Sequence, residues 1–272
     1  MNLDQKNLIE LAQAVKKLVE EAGSQVYSFF GTTTFDIHNK NINHTRNKPI
    51  DFVTSVDIHS ERYLIAGLKK LVPEASILSE EAGRIINFKN NNTYCWVIDP
   101  LDGTTNFIRN TPYFCLSVAL TQNGTPVLGV IYDPVNKELF WAIQGHGSHM
   151  TVANNGQQRL KIPSQYNKEL RISCGGAYQY PEILERIRGH ASVEICYFGS
   201  AALDLAHVAA GRLDGFVSYG LKWWDVAAGM LLIQEAGGLV TDFDKKPISD
   251  KYTTFIGAAP EIYGDLISSL DN

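Results

Sequence analysis

The stretch Asp99-Pro100-Leu101-Asp102-Gly103-Thr104-Thr105-Asn106-Phe107 sets two carboxylates directly behind an apolar run, Tyr94-Cys95-Trp96-Val97-Ile98. Taken alone, Pro-x-Asp-Gly is ordinary turn chemistry. The same stretch follows its acids with Gly103 and Thr104, whose backbone N–H groups are open if a helical turn begins there. Carboxylates on one side and amide donors on the other suit a hard cation and the phosphate it carries. Glu80-Glu81 follows a second apolar run, Ser76-Ile77-Leu78. Adjacent acids are usually solvated; they gain meaning if both segments meet at one sheet edge, because a paired-metal site needs several carboxylates, some bridging. Asp225, in Trp224-Asp225-Val226-Ala227-Ala228-Gly229, stands where a helix N-cap would, and can cap and ligate at once. In Asp51-Phe52-Val53-Thr54-Ser55-Val56-Asp57, Asp57 reads as another N-cap and Asp51 as a loop aspartate.

Regular elements must bring these segments together. Over residues 3–22, Leu8, Leu11, Ala12, Val15, Leu18, Val19 and Ala22 fall on one face with the 3.6-residue period of a helix, and Gly23 is its expected stop. Residues 32–49 read as a polar loop with one short strand. A second helix is expected from Asp57, with Leu64, Ile65, Leu68 and Leu71 buried and Pro73 ending it. From 116 to 143, apolar segments alternate with turns at Asn123-Gly124 and Asp133–Lys137, an antiparallel meander. Beyond 154, strands (170–173, 216–217, 239–241, 255–258) alternate with helices (181–188, 200–210, 225–236, 261–270), the texture of an α/β half. The expectation is one domain over 1–272, with an α+β half over 1–150 and an α/β half over 151–272.

The 272 residues carry 24 Lys+Arg against 29 Asp+Glu, a formal charge of −5, which argues against nucleic-acid binding as the main task. With 44% hydrophobic and 10% aromatic residues, the composition is globular. Cys95, Cys115, Cys174 and Cys196 form no CxxC pair and read as buried thiols in a reducing compartment. The first residues lack the basic and apolar regions of a signal peptide, and no apolar run approaches the ~20 residues that span a bilayer, so a cytoplasmic protein with no membrane partner is expected.

Rival phosphate chemistries fit poorly. No cysteine has an arginine six positions on, as a cysteine phosphatase needs. Asp242-Phe243-Asp244 follows an apolar run, but Lys246 stands where an aspartyl-phosphate enzyme needs Thr or Val. There is no Gly-x4-Gly-Lys-Ser/Thr loop and no helical His pair for zinc. Gly145-His146-Gly147 reads as a turn, and His207 as a packed or surface histidine.

In order and spacing, Asp51-x-Val53-Thr54-x-x-Asp57, Glu80-Glu81, Asp99–Phe107 and Trp224-Asp225-x-Ala-Ala-Gly…Glu235-Ala-Gly-Gly resemble the inositol monophosphatase family, over roughly residues 3–270. The resemblance implies an α/β fold, a layered αβαβα sandwich of the inositol monophosphatase and fructose-1,6-bisphosphatase type. It implies Mg²⁺-dependent, lithium-sensitive hydrolysis of a small phosphate monoester in a homodimer. Carried over by motif, Glu80, Asp99, the Leu101 carbonyl, Asp102 and Asp225 hold metal, and Glu81 holds a metal-bound water. Asp51 and Thr104 orient and deprotonate the attacking water, and the Gly103 and Thr104 amides grip the phosphate. Asp102, Gly199, Ser200 and Ala201 contact the alcohol. Inositol-selective members place a ring-binding glutamate where this chain has Ser218, which predicts weak preference for inositol rings. Fructose-1,6-bisphosphate, histidinol phosphate, NADP and 3′-phosphoadenosine compounds are alternative substrates. Some bacterial relatives are transcription antitermination partners, so binding of transcription proteins is a further alternative. Monoester hydrolysis calls for enhancements up to about 10²¹-fold, beyond what orienting one water supplies. Two cations that neutralise the phosphate and stabilise the leaving alkoxide meet that need.

Overall fold

The computed structural model describes residues 5–40, 52–86, 93–152, 156–163, 170–175, 181–188, 193–251 and 254–270. Two long helices, α1 (Gln5–Phe29) and α2 (Ser55–Leu71), cover one face of an eight-stranded sheet. Its strands, in spatial order, are β10 (Gly156–Arg159), β9 (Gly147–Val152), β8 (Glu138–Ile143), β7 (Thr125–Asp133), β6 (Cys115–Gln122), β5 (Tyr94–Asp102), β3 (Ser76–Ser79) and β4 (Gly83–Ile85). A short hairpin, β1 (Ile37–Asn39) with β2 (Phe52–Thr54), leads into α2. The sheet's other face carries α5 (Ala201–Ala209) and α6 (Trp223–Glu235).

These helices lie in turn against a five-stranded sheet of order β12 (Val193–Cys196), β11 (Leu170–Gly175), β13 (Gly215–Tyr219), β15 (Thr254–Ala258) and β14 (Leu239–Thr241). The last layer is α4 (Pro181–Arg188) and α7 (Pro260–Leu270). The expected αβαβα sandwich is therefore present, and the large sheet continues through β9 and β10 past residue 150.

Burial of the large sheet on both faces explains why its strands read as nearly unbroken apolar runs. Successive side chains divide between two cores with period two. In β6, Leu116, Val118 and Leu120 join the core under α1 and α2. Cys115 and Ala119 join the core around α5 and α6. Trp96 and Ile98 on β5 divide from Val97 in the same way. The Asn123-Gly124 turn closes β6 on β7, both residues at positive φ (51° and 83°).

Several boundaries differ from the sequence expectation. Helix α1 runs through Gly23 to Phe29. Gly23 is there for close approach and not as a stop: a Cβ would lie 2.4 Å from the Tyr132 ring. Helix α2 is capped by Thr54, with Asp57 three residues inside. Lys222 holds the N-cap position of helix α6, and Asp225, again three residues inside, accepts from its backbone N–H. Among the leucines expected to be buried in α2, Leu64 and Leu68 are; the rest of its buried face is Val56, Asp57, Ser60 and Glu61.

Candidate active site

Strand β5 does not turn at Asp99 but bulges. Asp99 pairs with Ser117 and Asp102 with Cys115, so one extra residue is accommodated between them. Pro100 has no N–H for the ladder, and the Leu101 N–H instead donates to Asp99 Oδ1 at 3.1 Å. The bulge places both acids beside a cavity of about 470 Å³, which Glu80, Leu101, Thr104 and Asp225 also line. A five-residue helix, α3 (Thr104–Ile108), follows. Gly103 precedes it at φ 97°, where a Cβ would sit 3.0 Å from the Tyr113 carbonyl oxygen, so only glycine fits.

The first two turns of α2 form the wall behind this bulge. Thr104 Oγ1 donates to Asp57 Oδ1 at 2.9 Å and lies 3.0 Å from the Leu101 carbonyl oxygen. Asp57 Oδ2 accepts from the Thr54 N–H at 2.9 Å and the Thr54 hydroxyl at 2.5 Å, closing a capping box. Burial pushes Asp57 up to about 6, opposed by its bonds from Thr54 and Thr104. Ser60 donates to the Pro100 carbonyl at 2.8 Å. Glu61, 5% exposed, accepts from the Ser79 hydroxyl and from the N–H groups of Glu81 (3.1 Å) and Ala82 (2.9 Å). It thereby fixes the turn that carries Glu80.

From the other side, Asp102 Oδ2 accepts from Ser200 Oγ and the Ala202 N–H, each at 2.7 Å. These bonds tie the bulge to the start of α5. Asn106 Nδ2 adds a second tie, donating to the carbonyls of Tyr113 (2.8 Å) and Phe198 (2.7 Å). Asp225 Oδ2 accepts from the Lys222 N–H at 2.6 Å. Asp204, 2% exposed, also lines the cavity and accepts from Tyr113 (2.5 Å) and Ser173 (2.6 Å). Burial pushes Asp204 up to about 7.

The acids repel one another. Burial, then the charges of Glu80, Asp102 and Asp225, hold Asp99 well above the usual carboxylate range. Burial and the Asp102 charge do the same to Asp225. Burial lifts Asp102 to about 6 against its bonds from Ser200 and Ala202. Glu80 and Glu81 share the Lys40 ammonium, at 2.7 and 2.6 Å. Burial pushes Glu81 up to about 7.

Among the described residues, no three acidic, histidine or cysteine side chains converge on a point as an ion would need. Each acid has a protein partner instead. Their placement around one cavity, their hard oxygen donors and their mutual repulsion nevertheless fit Mg²⁺, which would relieve that repulsion and take carboxylate and carbonyl oxygens.

Of the residues expected from sequence, Glu80, Asp99, Leu101, Asp102, Gly103, Thr104, Gly199, Ser200, Ala201 and Asp225 line this cavity. Glu81 lines a neighbouring hollow beside α2 and meets the site through Lys40. Asp51 lies outside the described residues, and the Thr104 hydroxyl has Asp57 as its carboxylate partner. Ser218 does not line the cavity: it is 1% exposed on β13, and its hydroxyl has no hydrogen-bond partner among the described residues. Gly175 and Leu221 form the wall there; a Cβ at Gly175 would lie 3.0 Å from Leu221 and 3.3 Å from the Ser218 Cβ. His207 packs edge-on against Tyr113 at 5.8 Å, as a structural histidine does. Sequence reasoning missed Lys40, Glu61 and Asp57 as site groups. Thr54-x-x-Asp57 was the one available signal, as a capping box.

Known proteins resemble this chain over most of its length. The model of the inositol monophosphatase family matches residues 5–272. The Nus factor SuhB of Escherichia coli (strain K12) is 44% identical over 200 residues, 71% of this chain and 72% of that protein. The crystal structure of the extragenic suppressor protein suhB from Bartonella henselae superposes with a TM-score of 0.85 at 32% identity, covering 96% of this chain and 98% of that one. An inositol monophosphatase from Anabaena (Nostoc) sp. PCC 7120 does so with a TM-score of 0.79 at 31% identity, covering 97% and 96%.

Proposed function

This chain belongs to the inositol monophosphatase family, and we propose that it hydrolyses small phosphate monoesters with Mg²⁺. The observation that carries the reading is the Thr104–Asp57 hydrogen bond, 2.9 Å long, on the wall of a cavity also lined by Glu80, Asp99, Asp102 and Asp225. A hydroxyl that donates to a carboxylate keeps lone pairs free to accept a proton from water. Thr104 takes that proton as its own passes to Asp57, so the pair is the general base. Asp57 is held for this by Thr54, and its remaining oxygen faces Thr104.

Glu80, Asp99, Asp102, Asp225 and the Leu101 carbonyl would hold the metal. Bound there, Mg²⁺ supplies charge neutralisation for the phosphate and acidity for a water. Glu61 holds the Glu80–Glu81 turn, and the ties from Ser200, Ala202 and Asn106 keep the two sides of the cavity in register. The Gly103 and Thr104 amides are assigned to the phosphate, and Gly199, Ser200 and Ala201 to the alcohol. A homodimer and inhibition by Li⁺ belong to the same reading. Ser218, behind the cavity wall, offers an inositol ring no contact, so inositol-1-phosphate is not strongly preferred over other monoesters.

The name Nus factor, carried by the SuhB relatives, favours a second reading in which the chain also binds transcription proteins. One experiment separates the two. Phosphate release from inositol-1-phosphate, glycerol-2-phosphate, fructose-1,6-bisphosphate and NADP is measured with Mg²⁺ for wild type and Asp99→Asn. Binding of both proteins to a purified transcription complex is measured alongside. The phosphatase reading expects wild type to be active and Asp99→Asn inactive; release from none of the esters refutes it.

A further inference from the structure

The two ends of the cavity differ in chemistry. Besides the acids, three loops from the smaller sheet line the cavity. Strand β11 pairs in parallel with both β12 and β13, so all three deliver their carboxyl ends to one sheet edge. Ligands of α/β sheets bind at such edges. Cys174 and Gly175 end β11, Tyr197 and Phe198 follow β12, and Leu221 follows β13; all five line the cavity.

This wall is apolar and partly preset. The Phe198 ring lies 5.1 Å from that of Tyr113, whose hydroxyl is fixed by Asp204 at 2.5 Å. Tyr197, next to it, leaves 48% of its surface exposed. The polar groups nearby are engaged with the protein. Asp204 accepts from Tyr113 and Ser173, Ser200 donates to Asp102, and the Asn106 N–H groups serve two carbonyls. The Ser218 hydroxyl is behind the wall. Among the described residues, a polyol at this end would exchange its water hydrogen bonds for few protein ones, which costs binding. A flat ring would instead remove exposed Tyr197 and Leu221 surface from water and stack or tilt against an aromatic side chain.

We propose that this end of the cavity takes an aromatic ring borne by the alcohol of the phosphate monoester, so that selectivity follows the ring and not a pattern of hydroxyls. The inference rests on the phosphomonoesterase reading above. The reaction is the same hydrolysis: the water oxygen bonds to phosphorus, the ester P–O bond breaks, and the alcohol leaves with a proton.

The test compares kcat/KM for benzyl phosphate and glycerol 1-phosphate with the Mg²⁺-loaded enzyme. Both release a primary alkoxide of similar basicity, so the ratio reports the pocket and not the leaving group. Wild type is expected to favour benzyl phosphate about tenfold, the scale of one aromatic contact with its buried area. Tyr197→Ala, at a half-exposed position that tolerates truncation, and Leu221→Asn should bring the ratio close to one, mainly through a higher KM for benzyl phosphate. A wild-type ratio at or below one, or a ratio that neither variant moves, overturns the inference. Hydrolysis of neither ester overturns this inference; only if inositol-1-phosphate, glycerol-2-phosphate, fructose-1,6-bisphosphate and NADP are also left intact does the phosphomonoesterase reading fall with it.

Discussion

The Thr104 hydroxyl donates to Asp57 Oδ1 at 2.9 Å, and the other Asp57 oxygen is clamped by Thr54. A buried aspartate of the α2 capping box therefore also holds a hydroxyl that lines the cavity. Its replacement separates chemistry from metal binding. Asp57→Asn is expected to lower kcat by about 10²–10⁴-fold, the usual scale for a lost general base. The Mg²⁺ concentration at half-maximal rate should hardly change. Asp225→Asn should instead raise that concentration. Steady-state Mg²⁺ titrations of both variants decide; identical titrations and identical kcat values would show that the roles are wrongly divided.

Glu61 supplies a stability prediction. It is a buried carboxylate accepting from Ser79, Glu81 and Ala82. Glu61→Ala leaves those donors unmatched, at a cost of about 1–3 kcal/mol. For a chain of this size each kcal/mol lowers Tm by roughly 2–4 °C. Glu61→Ala should also raise the Mg²⁺ requirement, because the turn bearing Glu80 loses its anchor. Calorimetry showing an unchanged Tm would contradict the assignment.

Lys40 occupies the space between Glu80 and Glu81 as a tethered cation, 2.7 and 2.6 Å from their oxygens. Lys40→Met removes that charge. The expected result is tighter Mn²⁺ binding by electron paramagnetic resonance titration, by a few-fold or more. Weaker binding in the variant would mean that Lys40 assists the metal and does not compete with it.

The raised carboxylates set a pH dependence. In the folded, metal-free protein Glu81 and Asp204 are pushed up to about 7 and Asp57 and Asp102 to about 6, whereas unfolded carboxylates titrate near 4. Between these limits the folded state binds more protons than the unfolded, so metal-free stability falls as pH rises. His207, lowered to about 4 by burial, acts in the opposite direction below its unfolded value of about 6.5. The clean window is thus pH 6.5–8. Across it, Tm in chelator should fall with rising pH, while the gain in Tm from added Mg²⁺ should grow, because metal displaces those protons. A metal-free Tm that rises over this window would be the contrary outcome.

The acids of the cavity were legible because their residue types and local order carry the chemistry: Asp99 and Asp102 are three residues apart, and Glu80 follows an apolar strand. What was lost was their support. Periodicity counts Ser60 and Glu61 as polar and assigns them to solvent, and Asp57 reads as a cap, yet all three lie on the buried face of α2, where Pro100, the turn after β3 and Thr104 offer partners. Asp57 was read as the cap of α2, where Thr54 holds that position; at α6 Asp225 was read as the cap, and Lys222 at the N-cap position has no signal, since lysine has no capping oxygen. The pairing of Lys40 with Glu80 spans 40 residues and has no local signal. Ser218 was misplaced because its exposure depends on the register of β13 between β11 and β15, a long-range property. The αβαβα layers followed from the family resemblance, whereas composition and periodicity alone reached only an α+β half and an α/β half.

Metal dependence is decisive for the phosphomonoesterase reading. Phosphate release from glycerol-2-phosphate is followed in excess chelator, after Mg²⁺ is restored, and in parallel with Asp99→Asn. The expected result is no release in chelator, recovery with Mg²⁺, and none from the variant under either condition. Undiminished release by the wild-type protein in chelator would contradict it.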